Sequence, residues 1–318
     1  MRVGVNPAKL DIDLGHPFTH RVLIPIYIPS LTEYHEHSLE VLEMCLLSLV
    51  RTVHDQTAIS LINNNSCAEV SQFLEAFARE HAAVDQLVVN HRNTGKVDAL
   101  FNLIRGCYEP LISISDADVL FVEGWQEECE NAFVHYPELG FVCPTPIPDN
   151  HFYFTASSWY WAWKKGANRM QNIPEPQDLE RFATSIGKSG EQLEELMRRN
   201  QQKMFYQYGS GPELVLGAGH FVACIRREAL WSAPHELSGK RILGNSELRF
   251  IDQPVDQLGL VRASLPKARA FHMGNVPEPW MREEMPKADS KPTAVAIPAL
   301  QKAKGSYWWR RKLIRWAK

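Results

Sequence analysis

The segment Ile112-Ser113-Ile114-Ser115-Asp116-Ala117-Asp118 is an apolar run that ends in two carboxylates two residues apart. On an extended chain such residues point to the same side, and carboxylates that close repel each other unless a cation sits between them. Mg²⁺ or Mn²⁺ suits the pair, because hard cations take few carboxylates and complete their shell with water and phosphate oxygens. A bare D-x-D is more often two solvated loop aspartates; a place at the end of a central strand is what makes it a candidate metal site.

The elements that would position this pair alternate along the first half of the chain. Val22 to Ile28, Ala58 to Ile62, Gln86 to Asn90, Leu111 to Ser115 and Phe141 to Pro144 read as strands. Ser38 to Val53, Ala68 to His81, Lys96 to Tyr108 and Trp125 to His135 read as helices between them. This pattern predicts an α/β fold with a mostly parallel central sheet and helices on both faces. Ligands in such sheets bind beyond the carboxyl ends of the strands. The Asn63-Asn64-Asn65-Ser66 turn cluster, the Asn93 to Lys96 loop and the aspartate pair all fall at such ends.

With that order in place, the first 145 residues resemble family 2 glycosyltransferases of the GT-A (Rossmann-like) fold. The shared features are Ile24-Pro25-Ile26-Tyr27 on the first strand, a polar cluster after the second, Asn93-Thr94-Gly95-Lys96, and D-x-D. The resemblance implies that Pro25, Tyr27 and Asn63 cradle the nucleoside, although the family usually has an acidic residue where Asn63 stands. It implies that Asn93, Gly95 and Lys96 form a donor-binding loop, in which Gly95 gives backbone freedom and Lys96 neutralises phosphate at a helix amino end. The loop is not a Walker P-loop: Asn90 replaces its first glycine and Val97 its Ser/Thr. Asp116 and Ala117 would face the nucleotide sugar. Asp118 and Asp116 would hold the metal, with His272 in Ala270-Phe271-His272-Met273-Gly274 as a further ligand.

On the acceptor side the resemblance is fainter and points to Gly217 and Gly219. Inversion would need a carboxylate base; Asp252 on a predicted helix 247–258 is favoured, with Asp256 and Glu247 as alternatives. Glu33, His35 and His37, after the first strand, read as solvated or as donor-site rim.

The implied activity is transfer of a sugar from a UDP- or GDP-type donor to a glycan or lipid-linked acceptor. A nucleotidyltransferase would want a glycine-rich, arginine-bearing loop after the first strand, which Pro25 to Leu31 does not supply. A catalytically inactive binding or scaffold subunit is the non-enzymatic alternative.

The segments divide as a lead-in (1–20), a nucleotide-sugar-binding half (21–150), an aromatic and helical insertion (151–211), an acceptor-side half (212–285) and a linker with a basic tail (286–318). Phe152 to Trp163 is rich in aromatics, read mostly as insertion core with Trp159 as a rim candidate. The tail, Tyr307 to Lys318, mixes Trp, Leu and Ile with Arg and Lys, as chains that lie on an anionic membrane surface do.

Overall, 45% hydrophobic and 22% charged residues with a net charge of -3 describe a globular chain and disfavour nucleic acid as main partner. Six dispersed cysteines read as reduced core residues. No apolar run approaches the roughly twenty residues of a membrane span, and the first twenty residues lack a secretory pattern. The expected location is cytoplasmic, peripheral at the inner face of the cell membrane.

Overall fold

In the computed structural model the described residues are 3–7, 15, 17–147, 153–166, 168–173, 175–241, 245–287, 291–302, 307–309 and 311–312. The first half alternates as β1 (His20–Ile26), α1 (Ser38–Thr52), β2 (Thr57–Asn63), α2 (Ala68–Glu80), β3 (Val84–Val89), α3 (Lys96–Ile104) and β4 (Leu111–Ser115). Strands β1, β2 and β4 are buried almost throughout. Burial on both faces is why they read as continuous apolar runs rather than alternating ones. Helix α1 lays Val41, Leu42, Cys45, Leu46 and Leu49 against the sheet at helical spacing.

β1 pairs in parallel with β2 on one side and with β4 on the other, and β2 pairs in parallel with β3. The chain therefore runs outward from β1 through β2 to β3, then returns to the opposite side of β1. That reversal opens a crevice beyond the carboxyl ends of β1 and β4, where doubly wound sheets bind ligands.

The remaining strands widen the same sheet. They are β6 (Leu139–Cys143), β7 (Asn168–Asn172), β8 (Gln202–Tyr206), β9 (Leu214–Leu216), β10 (Val222–Arg226) and β11 (Val261–Ser264), giving the order β3-β2-β1-β4-β10-β6-β11-β9-β8-β7. β10 is antiparallel to both β4 and β6, and β11 is parallel to β6. Segment 151–211 contributes α5 (Ala156–Lys165), α6 (Pro176–Ser185) and α7 (Gly190–Arg199). It also contributes β7 and β8, which continue the sheet through β9. In α5, Trp161 is buried with its Nε1–H on the Gly259 carbonyl (3.0 Å), and Trp163 is exposed. Phe152 lies outside the described residues.

A separate two-stranded sheet pairs β5 (Val119–Phe121) antiparallel with β12 (Ala270–His272). Helices α4 (Trp125–His135), α8 (Arg227–Trp231), α9 (Gln253–Gln257) and α10 (Pro279–Glu284) complete the fold.

The expected continuous helix 247–258 is corrected: Leu248–Asp252 is a π turn that passes into α9. Pro254 has no N–H to give to the residue 250 carbonyl, so a regular α-helical ladder fails at that point.

All six cysteines are free, five of them buried. Among the described residues no helix is long and apolar enough to cross a membrane. Of the basic tail, Tyr307–Trp309, Arg311 and Lys312 are described; Arg310 and 313–318 lie outside the described residues.

Candidate active site

The crevice between β1 and β4 is a cavity of about 540 Å³. Pro25 to Ile28 line it from the end of β1, and Asp116, Ala117 and Asp118 from the end of β4. Backbone pairing fixes the aspartates: Asp116 N–H donates to the Phe221 carbonyl (2.7 Å), extending the β4–β10 ladder by one residue.

His272 reaches Asp118 through register. In the β5–β12 pair His272 stands opposite Val119, and Met273 N–H donates to the Asp118 carbonyl (2.8 Å). The His272 Nε2 is 3.5 Å from Asp118 Oδ2, and its Nδ1 is 3.0 Å from Ser185 Oγ on α6. Phe182 and Phe221 meet the imidazole edge-on, fixing its plane.

Asp116, Asp118 and His272 each offer a ligand atom within 4.8 Å of the others. Asp118 Oδ1 is buried without a hydrogen-bond partner among the described residues. Burial raises the Asp118 carboxyl, His272 opposes this, and Asp116 adds to it; the balance is a raised pKa. A buried carboxylate oxygen with no donor, beside a second carboxylate and an imidazole, fits a hard divalent cation.

Lys96 at the start of α3 is ion-paired with both Asp116 and Glu247. Burial works against its charge, but the two carboxylates outweigh it and raise its pKa. The first N–H of α3 is also taken, since Lys96 N–H donates to the Arg241 carbonyl (2.9 Å). Gly95 sits at φ +89°, and a Cβ there would run into the Lys240 carbonyl, so the loop 238–241 packs directly on this turn.

The asparagine cluster is a correction by one residue. Asn63 faces away from the cavity, accepting from Ser66 N–H and donating to Ser71 Oγ at the start of α2 (both 2.9 Å). Asn64 lines the cavity instead. Its Oδ1 accepts from Asn90 (3.0 Å) and Thr94 N–H (3.1 Å), and its Nδ2 donates to Asn93 (3.0 Å), tying the β2–α2 loop to the β3–α3 loop. Asn65 takes the left-handed turn position at φ +73°, which asparagine tolerates.

The proposed base Asp252 also needs correction. It is 0% exposed, with Oδ1 on Arg262 (2.6 Å) and Oδ2 on His220 Nδ1 (2.9 Å). A sealed carboxylate with both oxygens engaged meets no acceptor hydroxyl. Asp256 is buried as well, accepting from Ser157 N–H (2.7 Å). Of the three only Glu247 is not sealed, its side chain being 16% exposed; it sits behind the cavity-lining Lys96, ion-paired to it, with its Oε2 3.6 Å from His220 Nε2. Burial opposes charge on His220, but Asp252 and Glu247 raise its pKa.

Gly217 and Ala218 hold Arg262, and neither Gly217 nor Gly219 lines the cavity: Gly217 N–H donates to the Arg262 carbonyl (3.1 Å), and Ala218 accepts from its guanidinium (2.8 Å). Trp159 packs on the core.

Residues that line the cavity beyond those expected include Tyr34, Ser38, Val41, Arg241 and Asn275, with His35 from the expected rim. They sit on segments far apart in the sequence that meet only in three dimensions, as where Asn275 donates to the Tyr34 carbonyl (2.9 Å).

No family profile matches the sequence, and no curated protein matches it. Among solved structures the chain is similar to a mannosyltransferase from Pyrobaculum calidifontis in complex with GDP-Man and Mn²⁺, at 16% identity and TM-score 0.42, covering 78% of this chain and 55% of that one. It is similar to the 1–349 portion of S. aureus TarS, at 11% identity and TM-score 0.45, covering 80% and 60%. It is also similar to GalNAc-T7 with UDP, GalNAc and Mn²⁺, at 14% identity and TM-score 0.48, covering 80% and 44%. The match thus spans about half the length of those proteins. Likeness at this level leaves the chemistry of the cleft to be read from the residues that line it.

Proposed function

We propose that this chain is a metal-dependent glycosyltransferase of GT-A type. It would move a sugar from a UDP- or GDP-type nucleoside-diphosphate sugar to a glycan or lipid-linked acceptor, with inversion. One observation carries this reading: Asp116, Asp118 and His272 converge at the switch point of the sheet, on the wall of a cavity large enough for a nucleotide.

Asp118, Asp116 and His272 would hold Mn²⁺ or Mg²⁺. Bound there, the cation offsets charge on the departing diphosphate. Pro25, Tyr27 and Asn64 border the nucleoside end of the cavity, and Asn93 shapes the loop beside it. Glu247 takes over the role expected of Asp252: its carboxylate accepts the proton of the acceptor hydroxyl as that oxygen attacks the anomeric carbon. Asp252 orients His220 against Glu247.

The test is release or transfer of sugar from a panel of nucleotide sugars by purified protein with Mn²⁺, compared with Asp118→Ala. The variant is expected to lose activity by about 100-fold or more; activity that needs no metal and survives the change would overturn the reading.

For the tail we propose contact with an anionic membrane surface. Trp308 and Trp309 are 72% and 70% exposed, beside Arg311 and Lys312. Co-sedimentation with phosphatidylserine vesicles should fall when 307–318 are deleted; unchanged binding removes this role.

A further inference from the structure

The cleft has a charge imbalance that Lys96 does not correct. Lys96 is one positive charge between two negative ones, Asp116 and Glu247. With Asp118 these groups leave two negative charges, which a divalent cation cancels. A diphosphate would then arrive without a protein countercharge.

Arg241 is the remaining cation on the cavity wall, and among the described residues its guanidinium has no hydrogen-bond or ion-pair partner. Its backbone is held firmly nevertheless. The Arg241 carbonyl accepts from Lys96 N–H (2.9 Å), and the buried Asp98 carboxylate accepts from Ser238 N–H (2.7 Å) and Gly239 N–H (3.3 Å). Gly95 lets this loop lie against the donor-side turn without a side chain between them. An arginine with a fixed backbone and a free planar fork is suited to the paired oxygens of a diphosphate.

We propose that Arg241, rather than Lys96, is the side chain that binds the donor's diphosphate, and that Asp98 is the positioning residue that holds its loop over the cleft. This rests on the donor-site reading above and names the residue that would carry it.

The probe is inorganic pyrophosphate, which has the diphosphate without base or sugar, titrated calorimetrically into the full chain with Mg²⁺ present. Arg241→Ala should weaken pyrophosphate binding about tenfold to a hundredfold, with Mg²⁺ affinity in the absence of anion unchanged. Arg241→Lys should recover only part of the loss, since it keeps the charge and loses the fork. Asp98→Asn should weaken binding in the wild-type background and add nothing to Arg241→Ala, which separates positioning from a general folding defect. Equal pyrophosphate affinity in wild type and Arg241→Ala, or no binding by wild type, overturns the inference. Failure of the glycosyltransferase reading would look different: pyrophosphate would bind through Arg241 while no nucleotide sugar was turned over.

Discussion

Two clusters in this molecule carry nearly the same ligand types and are built for opposite purposes. His20, His54 and Glu130 gather in the core; Asp116, Asp118 and His272 gather at the cleft. In the core cluster the three side chains are already hydrogen-bonded to one another and to their neighbours. Glu130 Oε1 accepts from His20 Nδ1 (2.8 Å) and His54 Nε2 (3.0 Å). His54 Nδ1 accepts from Gln56 N–H (3.2 Å), which leaves the proton on Nε2, facing Glu130. His20 Nε2 is held by Ser113 Oγ (2.8 Å). At the cleft, Asp118 Oδ1 has no partner among the described residues, and His272 Nε2 points at a carboxylate 3.5 Å off. Ligand identity therefore does not define a metal site; unspent lone pairs facing an open cavity do.

The largest effect that could break this contrast is in the core. Glu130→Gln removes the charge that both histidines lean on and should cost about 3–5 kcal/mol in denaturant unfolding, with divalent-cation affinity unchanged. The same carboxylate should set an acid limit. Burial raises its pKa, but hydrogen bonds from His20 and His54 prevail and hold it at about 2 rather than 4.5. Because the folded value is depressed, its contribution is complete above pH 4.5 and disappears as pH falls toward 2. That contribution is about 3 kcal/mol, and the Gln variant should lack that part of the acid slope. Loss of cation binding in Glu130→Gln with stability intact would reverse the assignment of the two clusters.

The cleft should behave in the opposite sense. Wild type with Mn²⁺ at a hundred times its dissociation constant gains about 2.7 kcal/mol. Asp118→Asn should lose that gain while unfolding at the same or a higher temperature without metal, because it discharges a buried carboxylate held above its usual pKa. Calorimetric melting with and without Mn²⁺ reads both; a variant that melts lower without metal and still responds to Mn²⁺ would make Asp118 a structural residue.

The cleft half of this comparison was easier to read from sequence than its surroundings. Asp116 and Asp118 adjoin the strand that presents them, so strand and carboxylates share one seven-residue signal. Asn63 and Asn64 show the limit: which of three consecutive asparagines faces the cavity depends on whether β2 ends at residue 62 or 63. Asp252 and Glu247 show it again, since the π turn before Pro254 changes which carboxylates point outward. Strands β7 and β9 escaped notice for another reason. Asn168–Asn172 is polar and Leu214–Leu216 only three residues long, and they hold their shape by pairing within the widened sheet rather than by pattern. Arg241 carries no local signal at all; its loop is held at the cleft by Lys96, which donates to the Arg241 carbonyl, and by Asp98, which accepts from Ser238 and Gly239, both far away in the chain.

The smallest predicted effect tests whether the segment containing α6 is part of the metal site. Ser185 Oγ is the neighbour of His272 Nδ1, and whichever tautomer that contact favours decides what Nε2 presents to a cation. If Ser185 accepts the Nδ1 proton, Nε2 keeps its lone pair toward Asp118. Ser185→Ala would free the ring to exchange tautomers and should weaken Mn²⁺ binding about tenfold to a hundredfold without lowering the melting temperature of the metal-free protein. Phe182 and Phe221 still flank the imidazole in that variant, so its plane is kept and only the proton position is released. Ser185→Thr keeps the hydroxyl and should restore most of the affinity. Unaltered Mn²⁺ affinity in Ser185→Ala would mean that the aromatic flank and the β5–β12 register orient His272 by themselves, leaving α6 with no electronic part in the site.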